Sequence, residues 1–168
     1  MTAYGQFNSI KNMKKLLFVL TFGLSTICFG QTSKQNASDS KKIDRMKHFF
    51  YNLDDKFNVA MVKKDSLFFV HHLADKFINC TPVGDVNFKS QEILTLLKLP
   101  LLLVERTASK FDIFTYSDKI ATMSVIKKLT RKDSSIMYVR RTIIYEKLNK
   151  KWFIVSGQGT NVLPKYID

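Results

Sequence analysis

Cysteine and histidine are scarce in this chain, and their scarcity removes several kinds of chemistry. The cysteines are Cys28 and Cys80, and the histidines are His48, His71 and His72. Cys28 falls in a segment expected to be cleaved, which leaves Cys80 alone. One thiol makes neither an intramolecular disulfide nor a cysteine zinc site. A lone thiol in an exported protein reads as a small buried hydrophobe. His71 and His72 are adjacent, so on a helix they point about 100° apart and do not share one ion well. His48 is remote in sequence and no third ligand stands out, so neither a metal nor a cofactor is expected. Acidic residues are also few, 14 against 27 lysines and arginines, for a net charge of +13. The basic residues are spread (Lys41-Lys42, Lys63-Lys64, Lys127-Lys128, Lys150-Lys151) and no nucleic-acid motif accompanies them. They read as a solvated coat, the other reading being attraction to anionic surfaces or ligands. No nucleic-acid partner is expected.

The longest apolar run, residues 16–24, is too short and too soon followed by polar residues for a membrane span. It follows Met13-Lys14-Lys15 and precedes a stretch ending in the small residue Gly30. A basic start, a short apolar core and a small residue at the cleavage point form a secretory signal. Residues 1–30 are therefore expected to be a signal peptide, with Met13 as a better start than Met1. Cys28 is a poor lipoprotein site because the bulky Ile27 precedes it. Cleavage after Gly30 lowers the net charge from +13 to +10 and implies export to the periplasm or medium, with no stable membrane insertion.

Residues 31–39 are polar and aperiodic, a flexible leader. Residues 40–165 then read as one domain; the chain has no repeat, linker or low-complexity segment. Ile43, Met46, Phe49, Phe50, Leu53, Phe57, Ala60 and Met61 recur in steps that draw one apolar stripe along a helix capped by Asp39 or Ser40. Asp65 is placed to cap a second, short helix running through Leu73. Residues 77–81 read as a strand closed by Pro82 and turned at Gly84-Asp85. Ser90 then caps a helix over 91–99 that Pro100 stops. Beyond it the pattern predicts strands over 101–116 and 119–129, and a long hairpin over 135–162 that turns at Leu148-Asn149-Lys150. Three helices and an antiparallel meander make an α+β fold, with the first helix lying across a strongly curved sheet. A hollow at one end of such a sheet is where a ligand would sit.

Several stretches resemble the nuclear transport factor 2-like superfamily, the cystatin-like cone fold, over residues 43–163. The pieces are Asn58-Val59-Ala60-Met61-Val62-Lys63-Lys64-Asp65, Asp85-Val86-Asn87-Phe88-Lys89-Ser90, Arg140-Arg141-Thr142, and the tryptophan-led Trp152-Phe153-Ile154-Val155-Ser156-Gly157-Gln158-Gly159-Thr160. The nearer resemblance is to members of unknown function close to the SnoaL-like polyketide cyclases. Two features depart from the pattern. Asn149-Lys150 stands where a glycine is usual, and neither the acidic base of the isomerase relatives nor the Asp-His pair of the dehydratase relatives has a counterpart. The resemblance implies a domain that binds a small, partly apolar or anionic ligand or a partner protein. The other implications are a SnoaL-like isomerase-type enzyme and a non-catalytic dimer formed through the sheet.

No catalytic residue is nominated. Glu105, Asp112 and Glu146 are the strand carboxylates, and each is expected at the surface, Asp112 because it alternates with Phe111 and Ile113. The ligand-binding candidates are Asn79, Arg140, Arg141, Tyr145, Trp152, Gln158 and Phe57. A two-residue turn at Asn149-Lys150 sets Arg141 opposite Gln158; a three-residue turn sets Arg140 there instead. Phe49, Phe50, Phe57, Phe77, Tyr138, Tyr145 and Trp152 either line an apolar pocket or fill the core.

Overall fold

A computed structural model of the chain describes residues 39–110 and 112–167. The expected signal peptide and residues 31–38 of the expected leader lie outside the described residues. The first helix, α1, covers residues 39–63, so Asp39 and Ser40 lie within it rather than ahead of it as its cap. From Met46 onward the chain forms one compact unit.

Within that unit α1 buries Phe50, Asp54, Phe57, Asn58 and Met61, one face at steps of three and four. Phe49, expected on the same stripe, is 46% exposed and meets Phe50 edge to face. Lys64 has a φ of 60°, and the Asp65 N–H donates back to the Ala60 carbonyl at 3.0 Å, which ends the helix. The Asp65 carboxylate then accepts from the Phe68 N–H at 3.0 Å and starts α2, Ser66–His72. His72 stacks on Phe68 and His71 is exposed.

The strand β1 (Leu73–Cys80) begins four residues earlier than the apolar run suggests. It pairs antiparallel with β2 (Val86–Phe88) across a turn in which Gly84 takes a φ of 96°. The helix α3, Lys89–Lys98, starts before Ser90; its entry is held by the Gln91 side-chain oxygen, which accepts from the Phe88 N–H at 3.0 Å. At its other end the Lys64 ammonium donates to the carbonyls of Leu96 and Leu99.

Residues 101–116 are not one strand but two, β3 (Leu101–Thr107) and β4 (Ile113–Tyr116). Both pair with β5 (Ile120–Arg131), at Thr107↔Ile126 and Ile113↔Ser124. Five residues stand there against one on the partner, so the chain must leave the ladder. β6 (Ile136–Leu148) and β7 (Lys151–Val162) complete the sheet, ordered β2-β1-β7-β6-β5-β3 with β4 also beside β5. The sheet is mixed rather than wholly antiparallel, because β1 runs parallel to β7.

Asn149 and Lys150 both have positive φ, 48° and 66°, the signature of a two-residue hairpin turn. Neither expected register survives along the whole hairpin. Pairing starts at Leu148↔Lys151 and holds to Tyr145↔Ile154, then shifts so that Ile144 faces Ser156 and Thr142 faces Gln158. The extra residue, Val155, forms a bulge in β7.

Candidate functional site

Strand side chains alternate between faces, so the helix-covered face of β5 carries Ala121, Met123, Val125 and Lys127, and that of β6 carries Val139, Arg141, Ile143 and Tyr145. Two cations therefore project among apolar neighbours. Lys127 donates to Asp54 Oδ1 at 2.5 Å and to Asn58 Oδ1 at 2.7 Å, both on the buried face of α1. The ammonium also lies 5.4 Å from the centre of the Phe57 ring. Burial pushes the Lys127 amine below the usual lysine range, against the opposing pull of Asp54.

Arg141 is held differently. Its Nη2 lies 3.5 Å from Glu92 Oε1, and its side chain keeps 14% of its exposure where Lys127 keeps 5%. The buried carboxylate of Glu92 accepts on its other oxygen from Asn79 Nδ2 at 2.9 Å and Asn87 Nδ2 at 3.0 Å. Gly157 on β7 makes room for this group. A Cβ there would stand 2.8 Å from both Arg141 Nη2 and Asn79 Oδ1, so these two polar atoms crowd over one glycine.

Three fully enclosed side chains keep an atom with no hydrogen-bond partner among the described residues: Asp54 Oδ2, Asn79 Oδ1 and the Tyr145 hydroxyl. Burial holds the Tyr145 phenol well above the usual tyrosine range; the charge of Asp54 adds to this and that of Arg141 opposes it. The phenol thus lies within the fields of both charged pairs.

Of the residues singled out from sequence, Asn79, Arg141, Tyr145, Phe57 and Trp152 share this face. The rings mostly fill the core: Phe50 packs against Tyr145 at 4.5 Å and Trp152 at 5.0 Å. Arg140 and Gln158 point the other way, Arg140 into an open hollow of about 540 Å³ with Lys110, Asp112 and Ile113. Glu105 and Glu146 are surface residues paired with Lys128 and Lys76, as expected. Asp112, expected at the surface, is half-buried on the wall of that open hollow. One of its carboxylate oxygens is shut off from water, and burial raises its pKa in spite of Arg140, Arg106 and Lys47. Cys80, expected to be buried, is exposed. Sequence reasoning passed over Asp54, Asn58, Glu92 and Lys127. Asp54 stands four residues after Phe50 and four before Asn58, and Lys127 two after Val125, so the periodicity that located the core located them too.

The part of α1 from Met46 on, two shorter helices and a curled mixed sheet with a polar cluster on its covered face define an α+β class of fold. No family model matches the sequence, and no curated relative matches it. Solved structures do. A nuclear transport factor 2-like protein from Cytophaga hutchinsonii aligns with a TM-score of 0.62 at 16% identity, over 69% of this chain and 98% of that one. A cystatin-like-fold protein from Caulobacter vibrioides gives 0.57 at 14%, over 69% and 89%. A candidate ketosteroid isomerase from Parabacteroides distasonis gives 0.55 at 14%, over 69% and 87%. The fold of this chain is nuclear transport factor 2-like. Among the described residues no helix is long and apolar enough to cross a membrane.

Proposed function

We propose that the unit beginning at Met46 binds a small molecule with a polar head and a partly apolar body, in the cluster formed by Asp54, Asn79, Glu92, Lys127, Arg141 and Tyr145. The observation that supports this is the trio of enclosed, unpartnered atoms on Asp54, Asn79 and Tyr145. Each such group costs about 1–3 kcal/mol when left unpaired, against a total domain stability of about 5–15 kcal/mol. Three in one cluster is a heavy burden for a fold that gains nothing from them, and the polar head of a ligand is a source of partners for them. A thermal-shift screen of the full chain against small lipophilic acids, amides and alcohols tests the reading. Hits are expected to raise the Tm of the parent chain and to raise that of Tyr145→Phe and Asn79→Ala less. A screen without hits, or hits indifferent to both variants, would remove the proposal. Turnover of a hit, followed by NMR in the same samples, would instead favour the isomerase-type reading, with the free Asp54 oxygen as the base.

A specific observation also supports self-association. Ile78, Phe88, Ile113, Ile120 and Ile136 all lie on the uncovered sheet face and are between 37% and 60% exposed. Ile78 and Phe88 stand opposite each other on paired strands, and a second copy of the chain would cover such an exposed apolar pair on an open sheet face. Light scattering is expected to show a dimer that Phe88→Lys weakens. A monomer at high concentration would count against it.

A further inference from the structure

Resting on the interior-site reading above, we infer the class of the ligand: a carboxylate bearing a hydroxyl or amino donor next to its acid group, with the carboxylate seated on Arg141. The two buried cations are not equivalent. Lys127 has its charge met at 2.5 Å by a carboxylate and at 2.7 Å by an amide oxygen, and its side chain is sealed. The guanidinium of Arg141 presents five N–H donors, and its ion-pair partner among the described residues is Glu92 at 3.5 Å, longer than a hydrogen bond of that kind. Glu92 is itself committed on its other oxygen to Asn79 and Asn87. Arg141 also keeps more exposure than its cluster neighbours, so it marks the side from which a solute arrives. A planar fork of donors matches a planar pair of acceptor oxygens better than any neutral group.

The second half of the assignment comes from Asn79. Its amide nitrogen is used on Glu92, which fixes the free Oδ1 as an acceptor, and both that oxygen and Arg141 Nη2 crowd the Gly157 position. A head group gripped by Arg141 therefore meets an acceptor at once, and satisfying it requires a donor on the ligand. Deeper in, the Tyr145 hydroxyl is free to donate and Asp54 Oδ2 to accept. Phe77, two residues before Asn79 and buried on the same face, offers the apolar body a ring.

Ligand-observed NMR titrations of the full chain test the assignment with three matched series: α-hydroxy acids lengthening from lactate, their amides, and the same acids without the hydroxyl. The hydroxy acid is expected to bind on the order of tenfold more tightly than its amide, as a charge-assisted contact replaces a neutral one. It should also bind severalfold more tightly than the deoxy acid. Arg141→Met is expected to erase the preference for acid over amide. Glu92→Gln, which removes the competing charge and keeps an acceptor for the asparagines, is expected to strengthen acid binding severalfold. Because Arg141→Met strands Glu92 without its cation, the double variant E92Q/R141M is measured beside it. Equal binding of acid and amide, a preference that survives in both Arg141 variants, or neutral compounds alone binding in the interior would overturn the carboxylate assignment and leave the interior site standing. Failure of the whole thermal-shift screen would take both down.

Discussion

At the scale of single residues, Tyr145 is where burial and polarity conflict most sharply. Its ring is sealed against Phe50, while its hydroxyl lacks a partner among the described residues. Its pKa is raised well above the usual value by burial first and Asp54 second. Unfolded tyrosine ionises near pH 10, so the folded state binds the proton more tightly than the unfolded one. Stability from this group is complete below about pH 10 and falls as pH rises through the gap towards the folded value. Lys127 acts in the opposite sense. Its folded pKa is lowered, so the unfolded chain holds more protons below about pH 10.4, and stability climbs with pH through that window. Urea unfolding from about pH 8 to pH 11 is expected to show a climb and then a fall in the parent chain. In Tyr145→Phe the alkaline fall should shrink, and stability at neutral pH should rise by up to about 1–3 kcal/mol as an unpaired hydroxyl disappears. An alkaline fall unchanged in the variant would show that Tyr145 is not the group responsible.

At the scale of elements, the reach of sequence reasoning is set by how local each cause is. The α1 stripe, the Asp65 cap, the end of α3 at Pro100 and the Asn149-Lys150 turn depend on residues a few positions apart, and each was legible. The split between β3 and β4 was not, because it follows from where both strands meet β5 rather than from any glycine or proline in residues 108–112. The parallel pairing of β1 with β7 was hidden for a similar reason: alternation reads the same in either direction. The Val155 bulge had the largest consequence for the site. It shifts the register by one, sets Gly159 opposite Arg141, and leaves Gln158 on the opposite face. The pairing of arginine with glutamine dissolved there, and the partner that replaced the glutamine, Glu92, came from a helix. The polar half of the cluster escaped for a simpler reason. Asp54, Asn58 and Lys127 keep the apolar period, and a polar residue within a stripe is easily counted as an interruption rather than as a buried group.

At the scale of the whole unit, the Asp54–Lys127 pair decides whether the cluster serves the fold or the site. It ties α1 to β5, residues 73 positions apart, through an ion pair with almost no access to water. Desolvation of two such charges offsets most of their attraction, so a buried pair contributes little net stability, whereas a lone survivor is costly. Asp54→Leu and Lys127→Met are each expected to lose about 3–5 kcal/mol, because each strands the other's charge. The double variant restores charge balance with apolar groups of similar size. Its gain, about 1–4 kcal/mol for replacing a buried pair, is reduced by Asn58, which loses its donor at a cost of about 1–3 kcal/mol. The double variant should therefore unfold in urea within about 3 kcal/mol of the parent chain, with a large coupling term in the mutant cycle. It should also bind every hit from the interior screen more weakly, since Asp54 Oδ2 has gone with the pair. Stability retained and binding lost would mean that the charges are kept for the ligand. A double variant as unstable as the singles would mean that the pair is needed to seat α1 on the sheet, and that the free oxygen of Asp54 is a by-product of that seating.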